Sequence, residues 1–463
     1  MKLGSNAVAD MVRGSAHGPA TSFTGISIDS RSVAPGDLFV ALKGPNHDGH
    51  DFAPEALEKA AGALVSRDLP EGGVPLGRTI LRVEDTLAAL QALARHLREA
   101  RRLTVVAVTG SVGKTTTKEM AAGLLSRRFK TGRSRGNLNN AIGCPLEVAR
   151  LEEDVEVAVL EMGMSTPGEI KALSELLRPD VAVVTAVAPV HLAGFASLDD
   201  VMEAKGEILA GMDPKSTFVA NADDPRSVAI GRRHPGRVVT YGLPPALSGS
   251  EDLFATAADV EGAGSGSRFT LRLAGESAAV ALPLPGKHNV SNFLAAAAIA
   301  GVLGLTAREV AAAAPSLLAS RHRGEVRELA GGGLLYDDSY NSSPVALAAA
   351  FEAFVRAAGS RRKLAVVGEM LELGKDSATY HREAGRLLAG RCDLLVAVRA
   401  PALAEGAREA GMAEDAVRFA PDVASATELV RGLLRPGDAL FVKGSRGVAL
   451  DRLVEALAPE AAR

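Results

Sequence analysis

The chain has 463 residues, more than one ordinary domain holds, so two or three domains are expected. Its 52 Lys and Arg against 55 Asp and Glu leave a net charge of −3, which argues against a nucleic-acid binder that needs a basic face. Hydrophobic residues at 47% and charged residues at 23% are the mixture of a folded chain, and two distant cysteines, Cys144 and Cys392, exclude a disulfide framework and fit a reducing cytoplasm.

Met1 to Val12 lacks a cationic start followed by an apolar run, so no secretory signal is expected. In residues 1–83, Ile26-Ser-Ile-Asp-Ser-Arg31 and Leu38-Phe-Val-Ala-Leu42 read as short strands, Ala53 to Ala63 as a helix, and Ala63–Ser66 as another strand. This is a small α/β domain without a nucleotide motif. In residues 84–318, a helix over Thr86–Glu99 leads into a strand over Leu103–Val108. Further strands at Val155–Leu160, Val181–Thr185 and Phe218–Ala220 alternate with helices, the pattern of a mostly parallel sheet. Phe269–Leu273 and Val280–Leu284 alternate with period two and predict an antiparallel edge. The cluster Gly262-Ala-Gly-Ser-Gly266 reads as a turn, since no helix follows it as a dinucleotide loop requires. The longest apolar stretch, Phe293 to Ala307, is about 15 residues and too short to span a membrane. In residues 319–463, strands at Leu334–Tyr336, Leu364–Val367, Leu394–Val398 and Ala439–Val442 alternate with helices as a second doubly wound unit. The expected fold is therefore α/β in three domains.

The strongest local signal is Thr109-Gly-Ser-Val-Gly-Lys-Thr-Thr-Thr117, placed directly after a strand and before a helix running to about Arg128. Glycines let backbone amides approach phosphate, the helix N-terminus supplies positive potential, Lys114 adds a mobile cation, and Thr115 can ligate magnesium. Only Ser111 and Val112 separate Gly110 from Gly113, a shorter spacing than the general phosphate loop. A plain strand-to-helix turn explains the glycines but not Lys-Thr in those places.

In an open α/β sheet ligands gather at the carboxyl ends of strands. Glu161 ends one such run and suits a hard cation, although a helix cap or loop acid is the competing reading. His191 follows another and reads equally as packing residue or ligand. Asn221, Asp223 and Asp224 follow a third, and Lys205 alone reads as a surface lysine. In the last region Asp337-Asp-Ser-Tyr-Asn-Ser-Ser-Pro344, Glu369 and Lys443-Gly-Ser-Arg446 also end strands. Two cations there suit a carboxylate or phosphate. Polar clusters ending strands of two units point to an active site between domains.

These residues resemble the Mur ligases of peptidoglycan synthesis. The resemblance is carried by Thr109–Thr117, Glu161-Met-Gly163, Gly286-Lys-His-Asn-Val-Ser-Asn292 and Ser320-Arg-His-Arg-Gly-Glu325, in family order over nearly the whole chain. The short phosphate loop is that family's own form. Asp337–Pro344, Val367-Gly-Glu-Met-Leu-Glu-Leu-Gly374 with His381, Ser27–Arg31, Pro35–Phe39 and Asp48-Gly-His50 resemble its D-alanyl-D-alanine-adding members. Ser343 stands where that pattern usually has Asn. The Asp-Asn-Pro-Arg motif of the diaminopimelate-adding branch does not occur in the third region, and Asp223-Asp-Pro-Arg226 lies elsewhere.

The resemblance implies an ATP- and magnesium-dependent ligase that joins D-alanyl-D-alanine to UDP-N-acetylmuramoyl-tripeptide through an acyl phosphate. It implies that residues 1–83 bind the UDP substrate, 84–318 bind ATP, and 319–463, Rossmann-like, bind the dipeptide. Thr109, Gly110, Ser111, Val112, Gly113, Lys114, Thr115 and Thr116 would hold the phosphates. Asn289 and Asn292 would lie near the base, and Arg323 and Asp338 would reach ATP from the C-terminal side. Thr115 and Glu161 would bind one magnesium; His191 and a carbamylated Lys205 would help place a second. Ser30 and Arg31 would contact the UDP moiety, and Asn139 and Asn140 the muramoyl peptide. A cytoplasmic bacterial monomer, with no nucleic-acid or membrane partner, is expected. Folylpolyglutamate synthetase, the nearest alternative, would begin near the phosphate loop and lacks the N-terminal segments; an ATP-gated switch would not need the polar strand ends of the third region.

Overall fold

The computed structural model describes residues 3–189, 194–195, 197–243, 253–263 and 266–458. Contacts divide the chain into two compact units, the first residues 1–108, 128–182 and 207–216, the second 109–127, 183–206 and 217–463.

The first unit contains a five-stranded sheet in the order Ser15–His17, Thr79–Arg82, Gly62–Val65, Asp37–Val40, Gly25–Ser27. Only the Ser15–His17 pairing is antiparallel. The helix expected over Ala53–Ala63 is shorter, a turn over Gly49–Phe52 followed by Ala53–Leu57. The apolar residues beyond it form the central strand Gly62–Val65, buried throughout. A short run buried on both faces has no period, so it reads equally as helix or strand.

The helix Thr86–Glu99 forms where the sequence places it. The Asp85 carboxylate caps it, accepting from the Leu87 and Ala88 N–H groups at 2.7 and 3.0 Å. Leu90, Leu93, Ala94 and Leu97, spaced three and four apart, form its buried stripe. Beside it, Val157–Glu161 pairs in parallel with Thr104–Val108 on one side and Thr131–Arg133 on the other. Every residue of Val157–Glu161 is buried, which accounts for its unbroken apolar reading up to Glu161.

In the second unit, Thr217–Asn221 and Arg237–Gly242 pair in parallel. Ala255–Ala263, Gly266–Leu273 and Glu276–Leu282 then form the expected antiparallel edge. Gly264 and Ser265, inside the predicted turn, lie outside the described residues. The helix Lys287–Val302 buries Phe293 to Ala300 without a break, so it is apolar all round because it is a core helix.

The six-stranded sheet of this unit runs Glu325–Leu329, Gly333–Asp338, Ala439–Lys443, Lys363–Gly368, Leu394–Val398, Val417–Ala420. Only the first pairing is antiparallel. Alternate residues feed two cores. Tyr336, Val367 and Phe441 join Phe351 and Phe354 on one face, while Leu335, Val366 and Leu440 join Val430 and Leu453 on the other. A sheet covered on both faces is the doubly wound arrangement predicted. The two outer strands escaped prediction because edge strands carry charge, as Glu325, Arg327, Glu328 and Arg418 do.

Candidate functional site

The phosphate-loop segment runs from the strand Thr104–Thr109 into the helix Lys114–Leu125. Gly110 and Gly113 have φ of 146° and 85°, conformations that side chains disfavour. A Cβ on Gly110 would lie 1.9 Å from Thr185 Oγ1, and one on Gly113 2.4 Å from Asn292 Oδ1. Both glycines are therefore required by space as well as by dihedral. Gly113 gives the helix no side-chain cap, and a helix N-terminus is where an anion is favoured. Lys114 Nζ donates to the carbonyls of Gly110 at 2.7 Å and Ser111 at 3.4 Å, folding its ammonium over the loop.

The neighbouring strand end fixes that loop. Thr185 Oγ1 donates to the Val112 carbonyl at 2.6 Å, and the Thr185 carbonyl accepts from Asn221 Nδ2 at 2.7 Å and Tyr241 OH at 3.2 Å. Ser111 Oγ donates to the Ala188 carbonyl and accepts from the Ala188 N–H, both at 2.9 Å. Asp224 accepts from the Val187 N–H at 2.6 Å and caps the helix Pro225–Gly231, so the acids after Asn221 serve the scaffold. Thr115 is buried on the same helix, and Asn292 Oδ1 accepts from Thr117 Oγ1 at 3.4 Å. Asn289 is buried and its amide donates to the Pro285 carbonyl at 2.8 Å.

Lys205 is not the surface lysine that its sequence context suggests: on the helix Leu198–Gly206 it is buried with Val201 and Ala204. Burial pushes its amine well below the usual lysine range, and the Lys114 charge pushes it further. His191 lies outside the described residues.

The first unit holds Glu161, Asn139, Asn140, Ser30 and Arg31. Glu161 is buried at its strand end. Its Oε1 accepts from Asn139 Nδ2 at 2.8 Å, its N–H donates to Ser134 Oγ at 2.8 Å, and its carbonyl accepts from Cys144 Sγ at 3.2 Å. Burial, with Glu161 and Glu147 nearby, pushes the Cys144 thiol far up, so it stays protonated. Asn140 Oδ1 accepts from the Ile142 and Gly143 N–H groups at 3.2 and 2.8 Å. Ser30 is buried, while the exposed Arg31 donates Nε and Nη2 to the two Asp29 oxygens at 2.9 and 2.7 Å. That pairing holds the Asp29 carboxyl below the usual range. In the Asp-Gly-His segment, His50 Nε2 accepts from the Ser66 N–H at 2.8 Å, so Nδ1 donates to Asp48 at 2.6 Å, a scaffold role.

In the second unit the parallel strands of the six-stranded sheet bring Asp338, Lys443, Glu369 and Arg399 to one edge. Lys443 is buried and donates to Asp338 Oδ2 and to the Asn341 carbonyl at 2.8 Å. Asp337, its neighbour, is scaffold: it accepts from Ser339 Oγ at 2.6 Å, Arg327 Nη2 at 3.0 Å and His322 Nδ1 at 2.7 Å. The Arg323 and Arg446 guanidinium carbons lie 4.0 and 5.5 Å from the Tyr340 ring centre. Burial pushes His288 down to about 4, opposed by the charge of Asp338 and reinforced by Lys443. His381 Nε2 accepts from the Met370 N–H at 2.9 Å and fixes the Glu369 loop.

The phosphate loop, Lys205, Asn289, Asn292, Arg323 and Asp338 thus share one unit. Sequence reasoning missed the loop-holding role of Thr185 and the pairing of Glu369 with Arg399 at 3.2 Å. Thr185 carried a usable signal, a hydroxyl ending an apolar run. Arg399 carried none, because a lone arginine after a strand is indistinguishable from surface charge.

Three family models match consecutive segments: "Mur ligase family, catalytic domain" over residues 22–98, "Mur ligase middle domain" over 108–300, and "Mur ligase, glutamate ligase domain" over 322–446. An Escherichia coli (strain K12) protein named UDP-N-acetylmuramoyl-tripeptide–D-alanyl-D-alanine ligase is 37% identical over 467 residues, covering 97% of each chain. MurF from Acinetobacter baumannii superposes with a TM-score of 0.87 at 29% identity over 99% of each chain. The MurF ligase of Thermotoga maritima, solved in complex with ADP, gives 0.79 at 30% identity over 94% of this chain and 96% of that one.

Proposed function

This chain belongs to the Mur ligase family, and from that premise we propose that it joins D-alanyl-D-alanine to UDP-N-acetylmuramoyl-tripeptide with hydrolysis of ATP to ADP and phosphate. The observation that carries the reading is the presence, in one compact unit, of a phosphate loop and of strand ends bearing Asp338, Lys443, Glu369 and Arg399. The first supplies phosphoryl chemistry and the second a place for a charged acceptor.

A peptide carboxylate is a poor electrophile. Its oxygen attacks the γ-phosphorus of ATP, ADP departs, and an acyl phosphate forms. The amine of D-alanyl-D-alanine then attacks that carbonyl carbon, phosphate leaves with the bonding pair, and the amine gives up its proton. The loop amides and Lys114 hold and neutralise the phosphates, and the buried scaffold of Thr185, Asn221 and Tyr241 keeps them in place. Thr115 in one unit and Glu161 in the other each offer an oxygen donor of the kind magnesium takes. When bound, magnesium neutralises charge on the transferring phosphoryl group.

Lys205 is proposed to act as its carbamate. A neutral buried amine adds to CO₂ and releases a proton, which exchanges a neutral amine for an anionic oxygen donor; with His191 it would serve a second magnesium. Asn289, Asn292, Arg323 and Asp338 are assigned to ATP, Ser30 and Arg31 to the UDP moiety, and Asn139 and Asn140 to the side of the muramoyl peptide. The proposed domains are 1–83, 84–318 and 319–463. No described helix is long and apolar enough to cross a membrane. A cytoplasmic monomer acting on small molecules, without nucleic acid, completes the proposal.

The test is phosphate release from ATP and magnesium with UDP-N-acetylmuramoyl-tripeptide, with and without D-alanyl-D-alanine. Release that requires both, with a pentapeptide product by mass, is expected. Release only with a single amino acid as acceptor would move the chain to another ligase of the family.

A further inference from the structure

The geometry points to Arg399 as the residue that receives the carboxylate of the dipeptide acceptor, an assignment that rests on the ligase reading above. An acceptor with a free amine and a free carboxylate needs a cation for the carboxylate, at a distance that leaves the amine at the reaction centre. Three cations at this edge compete for that role. Lys443 is sealed, 2% exposed, with its ammonium on Asp338 and the Asn341 carbonyl. Arg446 is the more exposed, 61% of its side chain, but it donates to Asp451 at 2.9 Å and lies near the Tyr340 ring it shares with Arg323. Arg399 combines exposure, 44% of its side chain, with the longest contacts of the three: Glu369 at 3.2 Å and the Gly447 carbonyl at 3.5 Å. A guanidinium has five N–H donors in a fixed fork, so these two contacts orient it and leave donors for a carboxylate.

Its backbone adds a second observation. Arg399 has φ of 57°, in the left-handed region where a non-glycine residue is strained. Such strain persists where a side chain is needed at that point, and a glycine would meet the turn more easily. Leu371 adds a third. It is a partly exposed apolar side chain beside Gly447, whose carbonyl Arg399 contacts, and its N–H is held by Ser445 Oγ at 2.9 Å. Arg399 and Leu371 thus share one neighbour, a cation and an apolar surface suited to a carboxylate and a methyl group.

The sheet supplies a ruler. The strand ending at Asp338 and the strand ending before Arg399 are three places apart in the sheet. At a spacing of about 4.8 Å per strand this is roughly 14 Å. A dipeptide spans about 7 Å. With its carboxylate on Arg399, the amine therefore falls over the intervening strand ends, between Glu369 and Lys443, on the side of Asp338.

The experiment compares D-alanyl-D-alanine with its C-terminal amide as acceptor, in the wild type and in Arg399→Gly, by pentapeptide formation at saturating ATP, magnesium and UDP-tripeptide. The wild type is expected to prefer the acid by at least about tenfold in KM, the scale of one charge-assisted pair. In Arg399→Gly the KM for the acid should rise to that of the amide, while the amide KM holds, and Arg399→Lys should recover part of the preference. The thermal midpoint of Arg399→Gly should hold or rise, since glycine relieves the positive φ, which separates lost recognition from lost folding. Equal rises for acid and amide, or no rise for either, would overturn the assignment. A wild type that forms no pentapeptide would overturn the ligase reading itself, and the assignment with it.

Discussion

Asn139 and Glu161 are joined by a 2.8 Å hydrogen bond from the amide Nδ2 to the carboxylate Oε1, and the Asn139 carbonyl accepts from the Gly163 N–H at 2.7 Å. A residue expected to touch the muramoyl peptide therefore also orients the carboxylate proposed for magnesium. Replacing Asn139 with Ala removes that donor from the Glu161 carboxylate. The expected result is a 10- to 100-fold loss in apparent magnesium affinity, about the cost of losing a group that orients a metal ligand. Titrating magnesium against phosphate release checks this; an unchanged midpoint with a raised KM for UDP-tripeptide would return Asn139 to substrate contact alone.

Lys114 folds onto the carbonyls of Gly110 and Ser111, at 2.7 and 3.4 Å, and so stays near the loop. Lys114→Ala should lower kcat at least roughly 10²-fold, the scale for one lost charge-stabilising donor. The same change removes the like charge that helps depress the Lys205 amine, so that amine should regain basicity. Near-normal turnover in the variant would end the phosphate-loop assignment.

The parts of this site legible in the sequence are those where chemistry and period coincide. Gly110, Gly113 and Lys114 declare themselves because a turn, a close approach and a cation are compressed into a few residues. The helix Thr86–Glu99 was legible to the residue, since Asp85 caps it and its leucines keep helical spacing. Taken alone, Lys205 reads as a surface lysine because a lysine between Ala204 and Gly206 gives no sign of which helical face is buried, and only the resemblance assigns it to the site. Asp337 and Asp338 are adjacent and chemically alike, yet the alternation of a strand sends one into a scaffold of Ser339, Arg327 and His322 and the other to Lys443. Strand order, which brings Glu369 to Arg399 from distant segments, has no local signature at all.

The buried amine of Lys205 makes stability depend on pH with a definite sign. Its folded pKa lies well below the ordinary lysine value of 10.5, so the unfolded chain binds the extra proton and folding is opposed at lower pH. In CO₂-free buffer, stability should therefore rise as pH is raised toward 10.5, and less steeply in Lys205→Gln. Bicarbonate should restore activity to CO₂-depleted wild-type enzyme and leave Lys205→Arg unmoved. Mass spectrometry of the intact protein after trapping the carbamate checks the adduct directly, and equal bicarbonate responses in both proteins would exclude it.

Gly113 and Gly437 form a matched pair for separating backbone strain from loss of the site. Their φ values are 85° and 82°, so a Cβ is disfavoured to the same degree at each. A Cβ at Gly437 has no heavy atom within 4 Å, whereas one at Gly113 lies 2.4 Å from Asn292 Oδ1. Each alanine variant should lose about 1 to 3 kcal/mol from the left-handed conformation. Only Gly113→Ala must also push away Asn292, the partner of Thr117 on the phosphate-loop helix. Denaturant unfolding should therefore show comparable losses, with the larger at Gly113, while ATP KM rises only in Gly113→Ala. A rise of similar size in Gly437→Ala would mean that general loosening, and not the seat of Asn292 against the loop, sets nucleotide affinity.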